Sequence, residues 1–400
     1  MEEASNPYAP GAGTRPPELA GRDEVLRAAK VTIQRAKAAR SFKSFIFIGL
    51  RGVGKTVLLN EVQQIAEEEQ CTTLHVEAHD GKSLAELLVP GLRRLLLSLN
   101  SVANATEATR RALRVLRSFV SSIKVKVGDI DVGIGLPAEK GSADSGDLEA
   151  DLTELLVAVG NAAASKHVTV VVTIDELQYL NTIELSALIM AVHRVAQKSL
   201  PVLIVGAGLP QLVGQMGDSK SYAERLFNFP KIGPLKSEDA TAALAEPALR
   251  EGVRYQPAAL AEIIKVTEGY PYFLQEWGFH AWNAAQRSPI TLDNAQTATK
   301  HATSSLDDSF FRVRFDRLTP REKEYLRAMA ELGPGPHRSG DIADELGVQV
   351  ESVAPLRSNL IRKGMIYSPQ HGDTAFTVPL FDQYMRRVMP MKPKRKGGKG

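Results

Sequence analysis

Gly49-Leu50-Arg51-Gly52-Val53-Gly54-Lys55-Thr56 is the stretch whose reading decides the fold. It follows Phe45-Ile46-Phe47-Ile48, a continuous apolar run of the kind expected of a strand buried on both faces of a parallel sheet. It precedes a helical pattern whose apolar positions are Leu58, Val62, Ile65 and Ala66. Strand, glycine-rich loop and helix in this order fit G-x-x-x-x-G-K-[ST], a pattern whose chemistry is phosphate binding. Gly49, Gly52 and Gly54, with their neighbours Val53 and Val57, form a cradle of backbone N–H groups for a β-phosphate, to which the helix N-terminus adds its dipole. Lys55 reaches the β and γ oxygens, and Thr56 offers a hydroxyl to Mg²⁺.

Further along, Val168-Thr169-Val170-Val171-Val172-Thr173-Ile174 is a second apolar strand, and it ends in Asp175-Glu176. Paired with the loop, Asp175 is expected to hold Mg²⁺ through water. Glu176, one residue on, can orient or deprotonate an attacking water. ATP and Mg²⁺ are therefore the expected cofactors, with hydrolysis favoured over binding alone. Thr73 to Glu77 and Val202 to Val205 read as further strands, separated by helical patterns, which together predict a parallel α/β sheet.

Around this core, residues 1–20 are rich in Pro, Gly and Ala and read as an extended lead-in to a helix that Asp23 can cap. The ATPase core is expected over 21–236. Ile123, Val125 and Val127, then Gly128-Asp129, then Ile130, Val132 and Ile134 predict a β-hairpin, followed by a polar linker from Pro137 to Asp147. Residues 100–147 thus read as an insertion. Residues 237–315 are helical, with an aromatic cluster at Tyr270, Tyr272, Phe273 and Trp277, and read as a lid domain. After Leu318-Thr319-Pro320, helices at about 320–331, 340–346 and 352–363 and strands near Ile366 and 375–378 predict a winged helix over 316–385. Residues 386–400 read as a disordered basic tail.

Composition narrows the function classes. The 400 residues are 44% hydrophobic, 24% charged and 6% aromatic, which excludes bulk disorder. The richest apolar stretch, Leu84 to Leu99, is broken by Pro90, Gly91, Arg93 and Arg94, so no membrane span is expected. Met1-Glu2-Glu3 opens on neither a basic nor an apolar signal region, and the single Cys71 rules out an internal disulfide or a cysteine cluster. A reducing cytoplasm is the expected location. The net charge of +3 hides a mildly acidic body, because residues 386–400 hold seven Lys or Arg and no acid. Attraction to a polyanion must come from a local patch or the tail, whose alternative role is to solubilise.

Gly21-Arg22-Asp23-Glu24 before the first helix, the phosphate loop, Asp175-Glu176 and Gly269-Tyr270-Pro271 occur in an order that resembles the AAA+/STAND class of P-loop ATPases. The resemblance covers residues 18–385, and is strongest to archaeal-ATPase and origin-recognition-like members with a C-terminal winged helix. It implies a P-loop NTPase fold with a helical lid, adenine contacts at Gly21, Arg22 and Asp23, and a lid closing through Gly269 and Pro271. It also places Arg225 where the class has an arginine finger or γ-phosphate sensor, within a homo-oligomer or within one chain; a surface arginine is the equal alternative. His193 reads as a nucleotide sensor or as a packed or surface histidine. Two departures stand out: the strand from Pro201 ends Gly206-Ala207-Gly208, with no Asn, Thr or Ser at the sensor-1 position, and no arginine stands beside Gly269–Pro271. Slow hydrolysis is expected.

On the helix at 352–363, Val353, Leu356, Leu360 and Ile361 face inward, while Arg357, Ser358, Arg362 and Lys363 face out. Arg357, Arg362 and Lys363 suit phosphate or guanine contacts on DNA. Yet residues 319–385 contain seven Lys or Arg against nine Asp or Glu, which is poor for a duplex reader. Two functions stay open: a slow Mg²⁺-dependent ATPase whose nucleotide state repositions a winged helix on DNA, or a STAND-like signalling or defence switch that binds ATP with little turnover and contacts protein.

Overall fold

The computed structural model describes residues 1–101, 106–123, 136–370 and 372–390. Of the hairpin expected over 123–134 only Ile123 is described, and it caps the end of a helix instead of starting a strand; the rest of the hairpin and the residues from 391 onward lie outside the described residues. The chain divides into two compact units: Gly21–Gly49 with Gly54–Ile232, and Met1–Ala20 with Leu50–Val53 and Gly233–Gly400.

In the first unit, β1 (Ser44–Ile48), β2 (Thr72–Glu77), β3 (Val170–Asp175), β4 (Val202–Gly208) and β5 (Phe227–Asn228) form one sheet in the order β2-β3-β4-β1-β5. Every pair is parallel. The helices are α1 (Asp23–Lys37), α2 (Lys55–Glu68), α3 (Leu84–Ser101), α4 (Glu107–Ser122), α5 (Leu148–Ser165), α6 (Thr182–Gln197), α7 (Leu212–Ser219) and the single turn α8 (Ala223–Leu226). β1, β3 and β4 are buried along their whole length, which is why they read as continuous apolar runs. The register sets Ile48 opposite Gly208 and Ile174 opposite Gly206, so the chain leaves β1 beside the C-terminal ends of β3 and β4.

Several expectations need correction. Asp23 is the first residue of α1 and not its cap: Arg22 holds the cap position without a side-chain capping bond, and the Asp23 charge favours the helix N-terminus from inside the first turn. The segment read as an insertion contains α4, which Thr106 caps by accepting from the Thr109 amide at 3.2 Å and which packs between α3 and α5. The linker before α5 is pinned by buried Asp151, whose carboxylate accepts from the Ser145 amide and hydroxyl, the Gly146 amide and the Ser122 hydroxyl. β4 runs three residues past Val205, and β5, at two residues, is too short for any periodicity to reveal.

The second unit holds α9 (Ser237–Arg250), α10 (Pro257–Thr267), α11 (Pro271–Ala284), α12 (Leu292–Leu306), α13 (Arg312–Asp316), α14 (Pro320–Glu331), α15 (Ser339–Leu346), α16 (Val350–Arg362) and α17 (Phe381–Val388). Strands β6 (His337–Arg338), β7 (Ile366–Tyr367) and β8 (Asp373–Phe376) form an antiparallel wing in the order β6-β8-β7. With α14, α15 and α16 this is an arrangement of the winged-helix kind.

The expected lid and winged-helix domains share one apolar core running from Tyr8 through Trp277 and Phe311 to Met385. A π-helical turn at Asp307–Phe311 joins α12 to α13 without a linker; Phe310 stacks on Tyr272 and Phe311 on Tyr384. The lead-in also belongs to this core. The Tyr8 hydroxyl lies 2.5 Å from the Leu244 carbonyl and 2.8 Å from the Tyr255 hydroxyl, and a Cβ at Gly278 would come within 2.6 Å of the Tyr8 ring. α17 crosses the expected start of the tail, and its Arg386 and Arg387 pair with Asp382 and Asp307, both at 2.6 Å. Two of the seven basic residues assigned to a disordered tail are thereby part of the fold.

Candidate nucleotide site

The loop after β1 turns on two glycines in the left-handed region, Gly52 at φ 80° and Gly54 at φ 91°. A Cβ at Gly54 would meet nothing within 4 Å, so glycine is required there for the backbone and not for packing, and the space beside it stays open. Gly54 occupies the cap position of α2, whose first turn begins at Lys55 and directs its N–H groups outward, as every helix N-terminus does. Val53 and Val57 are buried.

Lys55 is 7% exposed, with Nζ donating to the Gly49 carbonyl at 3.0 Å. Thr56 Oγ1 donates to Asp175 Oδ2 at 2.6 Å, joining the start of α2 to the end of β3. Asp175 is buried, which pushes its carboxyl up from the usual range, while the Thr56 hydroxyl and the Lys55 ammonium pull it back. Its Oδ1 accepts from the Glu176 amide at 2.7 Å. Glu176 itself sits at φ 53°, a left-handed residue that turns the chain abruptly out of β3 into a 3₁₀ turn over Leu177–Tyr179.

That turn carries a residue that the sequence reading passed over. Gln178 Nε2 donates to Glu176 Oε2, and Gln178 Oε1 accepts from the Leu209 amide at 3.1 Å, just beyond β4. The glycines ending β4 make room for the same turn. A Cβ at Gly206 would overlap Leu177 Cδ1, and one at Gly208 would lie 2.5 Å from Leu212 Cδ2 and 3.2 Å from Gln178 Oε1.

The other anticipated residues are distributed as follows. Gly21 (φ 67°), Arg22 and Asp23 open α1 in the first unit. In the second unit, Gly269 takes φ 71° against the Leu235 carbonyl, where a Cβ would come within 2.6 Å, and Pro271 begins α11. Within that unit the Tyr272 amide donates to the Gly52 carbonyl at 3.1 Å and the Arg51 amide to the Thr377 carbonyl at 3.0 Å. Arg225 is exposed on α8, just before β5. His193, half-buried, lies against the Tyr222 ring with centroids 4.9 Å apart and rings tilted, and its Nε2 is 3.2 Å from Gln197 Nε2.

Of the three cations expected to face outward on α16, only Arg362 has an exposed head bonded to nothing but a neighbour on its own helix, Asn359. Arg357 spends its guanidinium on the wing, donating to Thr374 Oγ1, Ser368 Oγ and the Asp373 carbonyl. Lys363 bonds Glu322 at 2.7 Å and the Arg317 carbonyl at 3.0 Å. Both point away from the apolar side of the helix, as expected, and both are paired within the domain, Lys363 while still partly exposed.

Residues 18–205 match the AAA ATPase domain family, a stretch that contains the loop, β3 with Asp175-Glu176, and most of β4. Residues 18–205 thus resemble an AAA ATPase domain. Residues 308–385 match a second family, a domain of unknown function (DUF8462), spanning the π turn, the winged-helix segment and the first half of α17. The chain is similar to an uncharacterized HTH-type transcriptional regulator of Methanocaldococcus jannaschii, 22% identical over 342 residues, covering 82% of this chain and 79% of that protein. Among solved structures it is similar to a Walker-type ATPase of Pyrococcus abyssi, with a TM-score of 0.55 and 18% identity over 93% of this chain and 97% of that one, a likeness of fold. Among the described residues no helix is long and apolar enough to cross a membrane.

Proposed function

We propose that this AAA-type chain binds ATP with Mg²⁺, hydrolyses it slowly, and relays its nucleotide state to the winged-helix segment. One observation carries the reading: buried Lys55, Thr56 and buried Asp175 converge on the open side of a glycine-turned loop, with Thr56 and Asp175 already in contact. The donor set fits the ligand. Backbone N–H groups from Gly52 to Val57 and the Lys55 ammonium suit a polyphosphate, and a hydroxyl beside a carboxylate suits a hard divalent cation. Thr56 and Asp175 would hold Mg²⁺, whose chemistry is to neutralise the developing phosphate charge.

In this reading Lys55 exchanges the Gly49 carbonyl for β and γ oxygens, and Glu176 takes a proton from the attacking water. Gly21, Arg22 and Asp23 border the adenine, and Gly269 and Pro271 form the closing segment. Arg225, exposed at the edge beside β5, is suited to reach the γ-phosphate of a neighbouring copy in a homo-oligomer. The bonds from the Tyr272 amide to the Gly52 carbonyl and from the Arg51 amide to the Thr377 carbonyl support the relay, because they tie Leu50–Val53 to α11 and to the segment after β8 inside the second unit.

For the partner, the HTH-type relative favours DNA, engaged through Arg362 and the basic residues beyond 390. A second reading has its own support: Arg357 and Lys363 are consumed inside the domain, and Glu and Asp outnumber Lys and Arg there, which favours a protein partner and a switch with little turnover. With Cys71 as its one thiol the chain suits a reducing cytoplasm.

The test is Glu176→Gln, which keeps size and removes the base. ATP binding should persist while turnover falls by roughly 10² or more, measured with and without duplex DNA. Equal turnover in variant and wild type would remove Glu176 from the chemistry. Turnover unresponsive to DNA, with no DNA retained at low salt, would favour the protein-binding switch.

A further inference from the structure

The end of β4 poses a chemical problem that the sequence leaves open. Gly206-Ala207-Gly208 brings no hydroxyl or amide side chain to the strand that lies between the loop-bearing β1 and the carboxylate-bearing β3. A carboxylate acting as base must be held within hydrogen-bond reach of the water it activates. Glu176 stands on a left-handed turn at the strand end.

Gln178 meets both needs. Its Oε1 accepts from the Leu209 amide at 3.1 Å, and its Nε2 donates to Glu176 Oε2. Neither partner can act the other way, since a backbone N–H only donates and a carboxylate only accepts. The orientation of the amide is therefore dictated by chemistry: oxygen to β4, nitrogen to Glu176. The Nε2 group has two hydrogens, so one remains beyond that given to the carboxylate. The close approach depends on the two glycines. A Cβ at Gly208 would press to 3.2 Å on Gln178 Oε1, and one at Gly206 would displace Leu177, the residue between the carboxylate and the amide. The absence of a polar side chain on β4 and the presence of Gln178 beside it are thus one steric arrangement.

We propose that Gln178 is the positioning residue for Glu176, fixing its carboxylate between β3 and β4 and supplying from the neighbouring turn the polar group that β4 itself lacks. The inference rests on the ATPase reading above and deepens it. Gln178 takes no proton and forms no bond to substrate; it sets where the base stands.

The experiment compares steady-state turnover and calorimetric Mg²⁺-ATP affinity of the full-length wild type, Gln178→Ala, Gln178→Glu and Glu176→Gln. Gln178→Ala should lower kcat roughly 10- to 100-fold, the cost of a misplaced catalytic group, with KM and affinity within about twofold, since nothing in the loop changes. Gln178→Glu preserves side-chain size and the acceptor for Leu209 but turns the donated bond to Glu176 into a repulsion. It should lose at least as much kcat as the alanine variant, and it carries the test if the alanine variant fails to fold. A merely structural role predicts the opposite order, with Gln178→Glu close to wild type. The proposal is overturned if Gln178→Ala stays within twofold of wild-type kcat, or if Gln178→Glu retains wild-type turnover. Those failures are distinct from failure of the ATPase reading, in which the wild type itself turns over no faster than Glu176→Gln and both proposals fall together.

Discussion

Replacing Lys55 with alanine isolates the part of the site that charge alone governs. The ammonium is buried and parked on the Gly49 carbonyl at 3.0 Å, so binding a triphosphate exchanges one neutral acceptor for two anionic ones. Two hydrogen bonds to charged oxygens contribute about 1.5–3 kcal/mol each, and the surrendered carbonyl bond about 1 kcal/mol. The variant should therefore lose about 2–5 kcal/mol of ATP binding, or roughly 30- to 5,000-fold in Kd. Its nucleotide-free melting temperature should move little, because the lost carbonyl bond is offset by removal of a buried charge. Calorimetric titration gives the affinity directly, and thermal melting provides an independent readout. At ATP equal to about 100 times the wild-type Kd, the wild type gains about 2.7 kcal/mol of stability and the variant under about 1 kcal/mol. An affinity within threefold of wild type, with the same thermal shift, would refute the assignment of the loop as the phosphate cradle.

Gly206→Ala should destabilise the first unit by about 1–3 kcal/mol through overpacking against Leu177 and Ile46; an unchanged denaturant midpoint would mean that the turn after β3 is free to shift. In the second unit, burial raises the Glu322 carboxyl, but Lys363 and the Thr319 amide outweigh it and hold it below the ordinary 4.5. A depressed folded-state pKa contributes stability above the unfolded value that disappears as pH falls from about 4.5 through the lower folded one. Lys363→Met should destabilise by about 1–3 kcal/mol near neutral pH and lessen the acid-induced loss, followed by circular dichroism; an unchanged acid transition would show that the pair does not couple to folding.

The elements legible in the sequence are those whose signal is local. The β1–loop–α2 unit could be read because burial on both faces leaves an unbroken apolar run, because glycines stand where φ is positive, and because a helix repeats its apolar face every three or four residues. Asp175-Glu176 was legible for the same reason, as a polar end to an apolar run. Strand β4 was cut short because glycines within a strand look like its end, when here they are the cost of Leu177 and Gln178 packing against it.

Tertiary structure decided what depends on partners distant in sequence. Periodicity could say that Arg357 and Lys363 point away from the apolar face of α16, but only the fold shows a wing and a buried Glu322 there to take them. Likewise it could mark residues 1–20 as irregular, but not that Tyr8 enters a core built from residues over two hundred positions away. The bridge from Glu176 through Gln178 to Leu209 was beyond any sequence pattern. Its two bonds depend on the register of β3 against β4 and on space left by two missing methyl groups, and a one-dimensional periodicity carries neither.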